Sequence, residues 1–185
     1  MKTCGSLIAL IWVATLFARF DSHQLQRIAP AGKRIEIEDH SIWYIAPHSR
    51  SRIQDWKKGD TLQIYPNLDS FSNSSFPYYI KNKRKPLTPV ASNLQLGPEK
   101  ASTNAIWINQ VHVANQQITL QNGQDKITHW QVEPKDKEFL KTWKPTQGIV
   151  IGNNKGLLSW WYSSCEYILI NVNRGEWIRV QPLQN

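Results

Sequence analysis

The chain has 185 residues, of which 41% are apolar and 19% charged, with 22 Lys+Arg against 14 Asp+Glu and nine Trp. That balance excludes a disordered polymer, and two Cys exclude a disulfide scaffold or a zinc site built from several thiolates. Past the N-terminus no apolar run approaches the ~20 residues of a membrane span, so the sequence reads as one or two small, basic, Trp-rich domains.

Lys2 precedes an apolar run from Leu7 to Phe17, followed by Ala18 and Arg19. A positive start, a short apolar stretch and a small residue at its end describe a secretory signal peptide over residues 1–18, with Leu16 and Ala18 at −3 and −1 of the cut. Export to the periplasm or the medium follows. Cleavage there removes Cys4 and leaves Cys165 as the one thiol.

A first β repeat is expected over 24–97. Ile35 and Ile37 alternate with polar neighbours, and Glu38-Asp39-His40 turns the chain into a strand over 42–45. Pro47 then opens a short helix. Gly59-Asp60 leads into a strand over 61–65, Asn67 ends it, and a Ser-rich loop separates it from a strand over 78–81. The segment 98–104 is the linker, rich in small polar residues after Gly97-Pro98. The second repeat, 105–183, opens on a strand over 106–113 and continues with Ile118 and Leu120 to Asn122-Gly123, a strong hairpin signal. Pro134 starts its short helix, with Phe139 and Trp143 four apart on one face. Strands follow over 149–151, 167–172 and 176–181.

The two halves share a pattern. Trp43-Tyr44-Ile45-Ala46-Pro47 with Trp56 matches Trp130-Gln131-Val132-Glu133-Pro134 with Trp143, both reading W-x-[IV]-x-P-x8-W at an offset of 87. The offset becomes 89 beyond Asn67, where Tyr78 and Asn82 match Tyr167 and Asn171. The second copy's first turn reads about four residues longer. The expected fold is mainly β: two tandem copies of a small antiparallel sheet or partly open barrel, each with one short helix. The four repeated Trp are core residues, and the copies pack on each other through Trp107 and its neighbours, since units of this size are marginal alone.

These blocks resemble a family of short exported bacterial proteins of uncharacterised activity, with one or two copies of L-x-D-G-S-x-W-x-V-x-P and W-x-x-G-D-x-I-x-I-x-P-N. The first copy fits from Ile37 to Pro47, with His40 in place of Gly, and again from Trp56 to Asn67. In the second copy Thr146-Gln147 replaces Gly-Asp. The resemblance implies export and a repeated β unit, and carries no catalytic residue.

Core demands act on both copies, so residues that break the repeat are the better functional candidates. Trp161 stands opposite Ser72, Tyr162 opposite Asn73 and Trp177 opposite Thr88. Trp160-Trp161-Tyr162 cannot all face one side of a strand; they form either a binding platform or packing between the copies. The basic run Lys81, Lys83, Arg84 and Lys85 follows two tyrosines; a solvated loop is the bland alternative. For an exported protein its partners are anionic lipid headgroups, acidic glycans or an envelope protein, ahead of nucleic acid. Asn73-Ser74-Ser75 is a glycosylation sequon.

Catalytic signals are weak. His23, His40, His48, His112 and His129 show no metal-ligand spacing, so neither metal nor cofactor is expected. No G-x-S-x-G or phosphate-cradling loop is present. Cys165 stands opposite Phe76 and reads as a small buried hydrophobe; a Cys/His hydrolase would need it beside His129 or His112. Asp55, Asp60 and Glu166 are the carboxylates a glycosidase would draw on. The leading function is an exported, non-enzymatic envelope or secreted β module that binds an anionic surface, a glycan or a protein. The alternatives are a hydrolase of cell-wall or host glycans and a purely structural envelope component.

Overall fold

Short alternating runs bury their apolar face only by sharing one interior, and this chain does so twice. The computed structural model describes residues 20–68, 75–154 and 163–183. The first six strands are β1 (His23–Ile28), β2 (Arg34–Ile37), β3 (Ile42–Ile45), β4 (Thr61–Pro66), β5 (Tyr78–Asn82) and β6 (Lys85–Leu96). The second six are β7 (Ile106–His112), β8 (Gln117–Asn122), β9 (Ile127–Val132), β10 (Gly148–Asn153), β11 (Tyr167–Asn171) and β12 (Glu176–Pro182). The first set closes into an antiparallel barrel in the order β1-β2-β3-β6-β5-β4, and the second in the corresponding order β7-β8-β9-β12-β11-β10. Closure comes from β4 pairing back on β1 and β10 on β7, which leaves no open sheet edge among the described strands. The two tandem antiparallel sheets are as expected, each in its closed form.

Equivalent residues do equivalent work. Trp43 and Trp130 are fully buried. The Trp43 indole N–H donates to Ser41 Oγ at 3.0 Å and that of Trp130 to Thr128 Oγ1 at 2.9 Å. Each ring meets a tyrosine edge-on, Tyr78 or Tyr167, at 5.5 Å. Asn67 Nδ2 donates to the Phe76 carbonyl and Asn154 Nδ2 to that of Cys165. β1 and β7 bulge at the same place, after Leu25 and after Ile108.

Several local expectations change. β1 and β6 are strands that the local pattern does not predict. Pro86 and Pro89 argue against an interior strand, but they fall where the β5–β6 register slips. That register places Trp177 opposite Pro89 rather than Thr88, because Val90 and Ile178 hold equivalent pairs. The helices after Pro47 and Pro134 are 3-10 turns, Pro47–Ile53 and Pro134–Lys141, and a third spans Pro30–Gly32. In that 3-10 geometry Leu140 is buried, as is Trp143 just beyond the helix, while Phe139 is 39% exposed. Asn122-Gly123 does not make a two-residue hairpin. The turn runs on to Lys126, with Asp125 at φ +60°. Gly123 is needed because the linker crosses it: a Cβ there would sit 2.2 Å from the Ser102 carbonyl oxygen.

The barrels meet where β10 lies against β4. Ile149 and Ile151 fill the second interior, while Val150, with Ile168 and Ile170 of β11, joins the first barrel's buried cluster. A Cβ on Gly152 would come within 2.9 Å of the Ile64 carbonyl oxygen, so only glycine permits this approach. Across the seam Asp21 Oδ2 accepts from Asn153 Nδ2 at 2.6 Å. His23 Nε2 reaches the Ile151 carbonyl at 2.7 Å and its Nδ1 reaches Glu38 Oε1 at 2.8 Å. Trp107 is not the joint; it stands at the edge of the seam, on the wall of a cleft.

Candidate functional site at the basic end of the first barrel

The turn before β4 and the hairpin joining β5 to β6 emerge at one end of the first barrel. Lys57 N–H donates to Asp60 Oδ2 at 2.9 Å and Asn82 Nδ2 donates to the same oxygen at 2.6 Å. Arg84 clamps the carboxylate with Nε and Nη2, at 3.0 and 2.8 Å, and sends Nη2 to the Asp55 carbonyl oxygen at 2.7 Å. Lys85 pairs with the Asp55 carboxylate, and Lys83 Nζ donates to Ser22 Oγ at 2.8 Å. Arg84's hydrogen bond, opposed by burial and helped by Lys57 N–H and Asn82, holds the Asp60 carboxyl well below the usual carboxylate range.

Lys57, Lys58, Lys83, Arg84 and Lys85 thus gather at this end against Asp55 and Asp60. Arg52, whose Nη1 donates to the Pro89 carbonyl, stands beside them. Leu87, two residues beyond Lys85 on β6, is 92% exposed. Of the candidate binding residues, Lys83, Arg84 and Lys85 are brought together here, and Lys81 lies two residues before Lys83 on β5, opposite Gln63. Trp160, Trp161 and Tyr162 lie outside the described residues. The signal that would have added Lys57, Lys58 and Leu87 is the strand register, which a linear reading does not contain.

The second copy uses the same corner differently. Gln147 replaces Asp60, with its Oε1 accepting from Lys144 N–H and Asn171 Nδ2, both at 2.8 Å. Asn173 replaces Arg84 and accepts from Gly148 N–H at 2.9 Å. Charge has gone from both partners together. Beneath the basic corner the Trp56 indole N–H is buried without a partner among the described residues, whereas Trp143 donates to Glu176 Oε2 at 3.3 Å. The first copy carries no acid at that place.

Cys165 is not in an apolar niche. Its thiol donates to Glu133 Oε2 at 3.3 Å, and Ser163 Oγ donates to the same oxygen at 2.8 Å. Burial and the Glu133 carboxylate, partly offset by Ser163 and Arg179, push the thiol up to about 11, which disfavours the nucleophilic thiolate. His129 is bonded to Thr119 rather than to this thiol. Asp136, buried on the same side, holds Arg179 through both carboxylate oxygens.

Comparison with protein-family models, with curated proteins and with solved structures finds no match to this chain.

Proposed function

We propose that this protein is an exported, non-enzymatic binding module whose first barrel docks by its basic end on an anionic lipid surface. The observation that carries the reading is Leu87, 92% exposed two residues beyond Lys85, on the hairpin whose end carries Lys and Arg that outnumber their acids. Juxtaposed cations each contribute about 1 kcal/mol near an anionic bilayer, and an apolar side chain near them enters the headgroup boundary. An acidic polysaccharide would use the cations and leave Leu87 in water. Two further features support binding over hydrolysis: Asp55 and Asp60 are committed to Lys85 and Arg84, and the one described thiol is held protonated.

Vesicle flotation tests this. Vesicles containing phosphatidylglycerol should retain the protein, and pure phosphatidylcholine vesicles should not. Reversing Lys57 and Lys58 to Glu should weaken retention at least ~10-fold, Leu87→Ser should weaken it at constant charge, and raised salt should release the protein. Equal retention on neutral vesicles, or tight binding to a soluble acidic polysaccharide that ignores Leu87→Ser, overturns the lipid reading.

A further inference from the structure

The corner that is basic and open in the first barrel faces inward in the second. There Thr146, Gly148, Val172 and Asn173 form one wall of a cleft of about 570 Å³, within the ~300–1,000 Å³ of small-molecule sites. The opposite wall carries Arg27, Glu36 and His40, and the linker closes one side with Glu99 and Lys100. Both walls are fixed by the β4–β10 seam, so the cleft exists before any ligand arrives.

Its chemistry is specific. Glu36 accepts from Arg27 Nη2 at 2.9 Å and engages His40 Nδ1 at 2.8 Å. The hydrogen bond to His40, against some burial and with Arg27's help, lowers the Glu36 carboxyl below its usual range. Three planar groups are thereby joined in one hydrogen-bonded row on the cleft wall, with Arg27 and His40 largely exposed, and Arg27 Nη1 and His40 Nε2 remain without partners among the described residues. The lining mixes both signs of charge, which gives a polyanion no advantage here. Trp107 stands on the cleft wall between its ladder partners Gln121 and Gly148; it is half-buried, and the glycine leaves that flank of the indole without a neighbouring side chain.

These polar and aromatic groups break the repeat. By strand register Trp107 corresponds to Gln24, Arg27 to Gln110 and Glu36 to Thr119. Two residues on the rim, His40 at φ +66° and Thr146 at φ +70°, occupy the left-handed region that favours glycine. Residues held there by their surroundings concentrate at sites of function.

We infer that the cleft between the barrels is a binding site for a neutral oligosaccharide, with a sugar ring laid on Trp107 and its hydroxyls met by Arg27, Glu36, His40 and Asn173. An aromatic face takes the apolar side of a sugar ring, and planar donors and acceptors suit its hydroxyls. The site is independent of the basic end, and either can stand without the other.

An array of neutral and acidic glycans tests it, followed by calorimetric titration of the best oligosaccharide with the whole chain. The expected result is retention of neutral oligosaccharides. Trp107→Ala should weaken binding at least ~10-fold. Gly148→Leu, which fills the cleft, should do the same, because a Cβ there meets Pro98 Cδ at an ordinary 3.4 Å. If either variant fails to fold, Arg27→Ala and His40→Ala, on an exposed wall, carry the same readout. Reversing Lys57 and Lys58 should leave glycan binding unchanged. No retained glycan, retention of acidic glycans alone, or undiminished binding in a folded Gly148→Leu protein overturns the inference.

Discussion

Thr146 holds φ at +70°, a conformation that a β-branched side chain avoids. Its counterpart in the first copy is Gly59, at φ +86°, where a Cβ would meet nothing within 4 Å. The contrast isolates backbone strain from packing. Thr146→Gly relieves roughly 1–2 kcal/mol of left-handed strain against roughly 0.5–1 kcal/mol of added unfolded-state entropy. The urea midpoint should therefore rise slightly, and a fall would show that Thr146 makes compensating contacts. At the same scale the departure of His40 from glycine was visible in the sequence. What His40 does was not, because Arg27 joins the Glu36–His40 pair only once β1 and β2 are paired.

At the scale of elements, the Asp60 turn shows how a motif can be structural and still differ between copies. Asp60→Ala strands Lys57 N–H and Asn82 Nδ2, and should cost about 2 kcal/mol. Asp60→Gln should cost less than about 1 kcal/mol, because Gln147 makes the same two bonds in the other barrel. Comparison of the two midpoints at neutral pH checks this, and equal losses would count against a shared acceptor role. The paired Trp, the short helices after Pro47 and Pro134, and strands with clean alternation were all legible, because each signal is local. β6 was not, since its prolines are tolerated only at a register slip that its neighbours define. Nor was the exposed basic end as a unit, since Lys57-Lys58 and residues 83–85 become neighbours only through the β4–β5 ladder.

For the whole molecule the seam decides behaviour, and His23 is its ionic element. Both ring nitrogens face oxygen acceptors, Glu38 Oε1 and the Ile151 carbonyl, which requires the ring to carry both protons. Burial alone would lower the ring, but the hydrogen bond and charge of Glu38, with Asp39 and the Ile151 carbonyl, raise it to about 9. A raised histidine contributes its full stability below its unfolded value, near 6.5, and loses it as pH rises through about 9. The loss across that window should be on the order of 3 kcal/mol, read as a falling denaturation midpoint. His23→Gln should flatten that part of the profile, and a wild-type midpoint constant from pH 6.5 to 9 would refute the charged seam.

The sequence by itself determined that this chain makes two similar β units, each closed around a pair of indoles. Apolar periodicity, proline-started turns and repeated Trp act over a few residues and survive any arrangement of the rest. The tertiary structure alone decided which copy of a shared corner faces solvent and which faces its neighbour. Gly152 stands where the first copy has Tyr65, and the missing side chain lets β4 and β10 come together at that point. From that one approach follow the buried His23, the cleft beside Trp107 and the basic end left open to its surroundings.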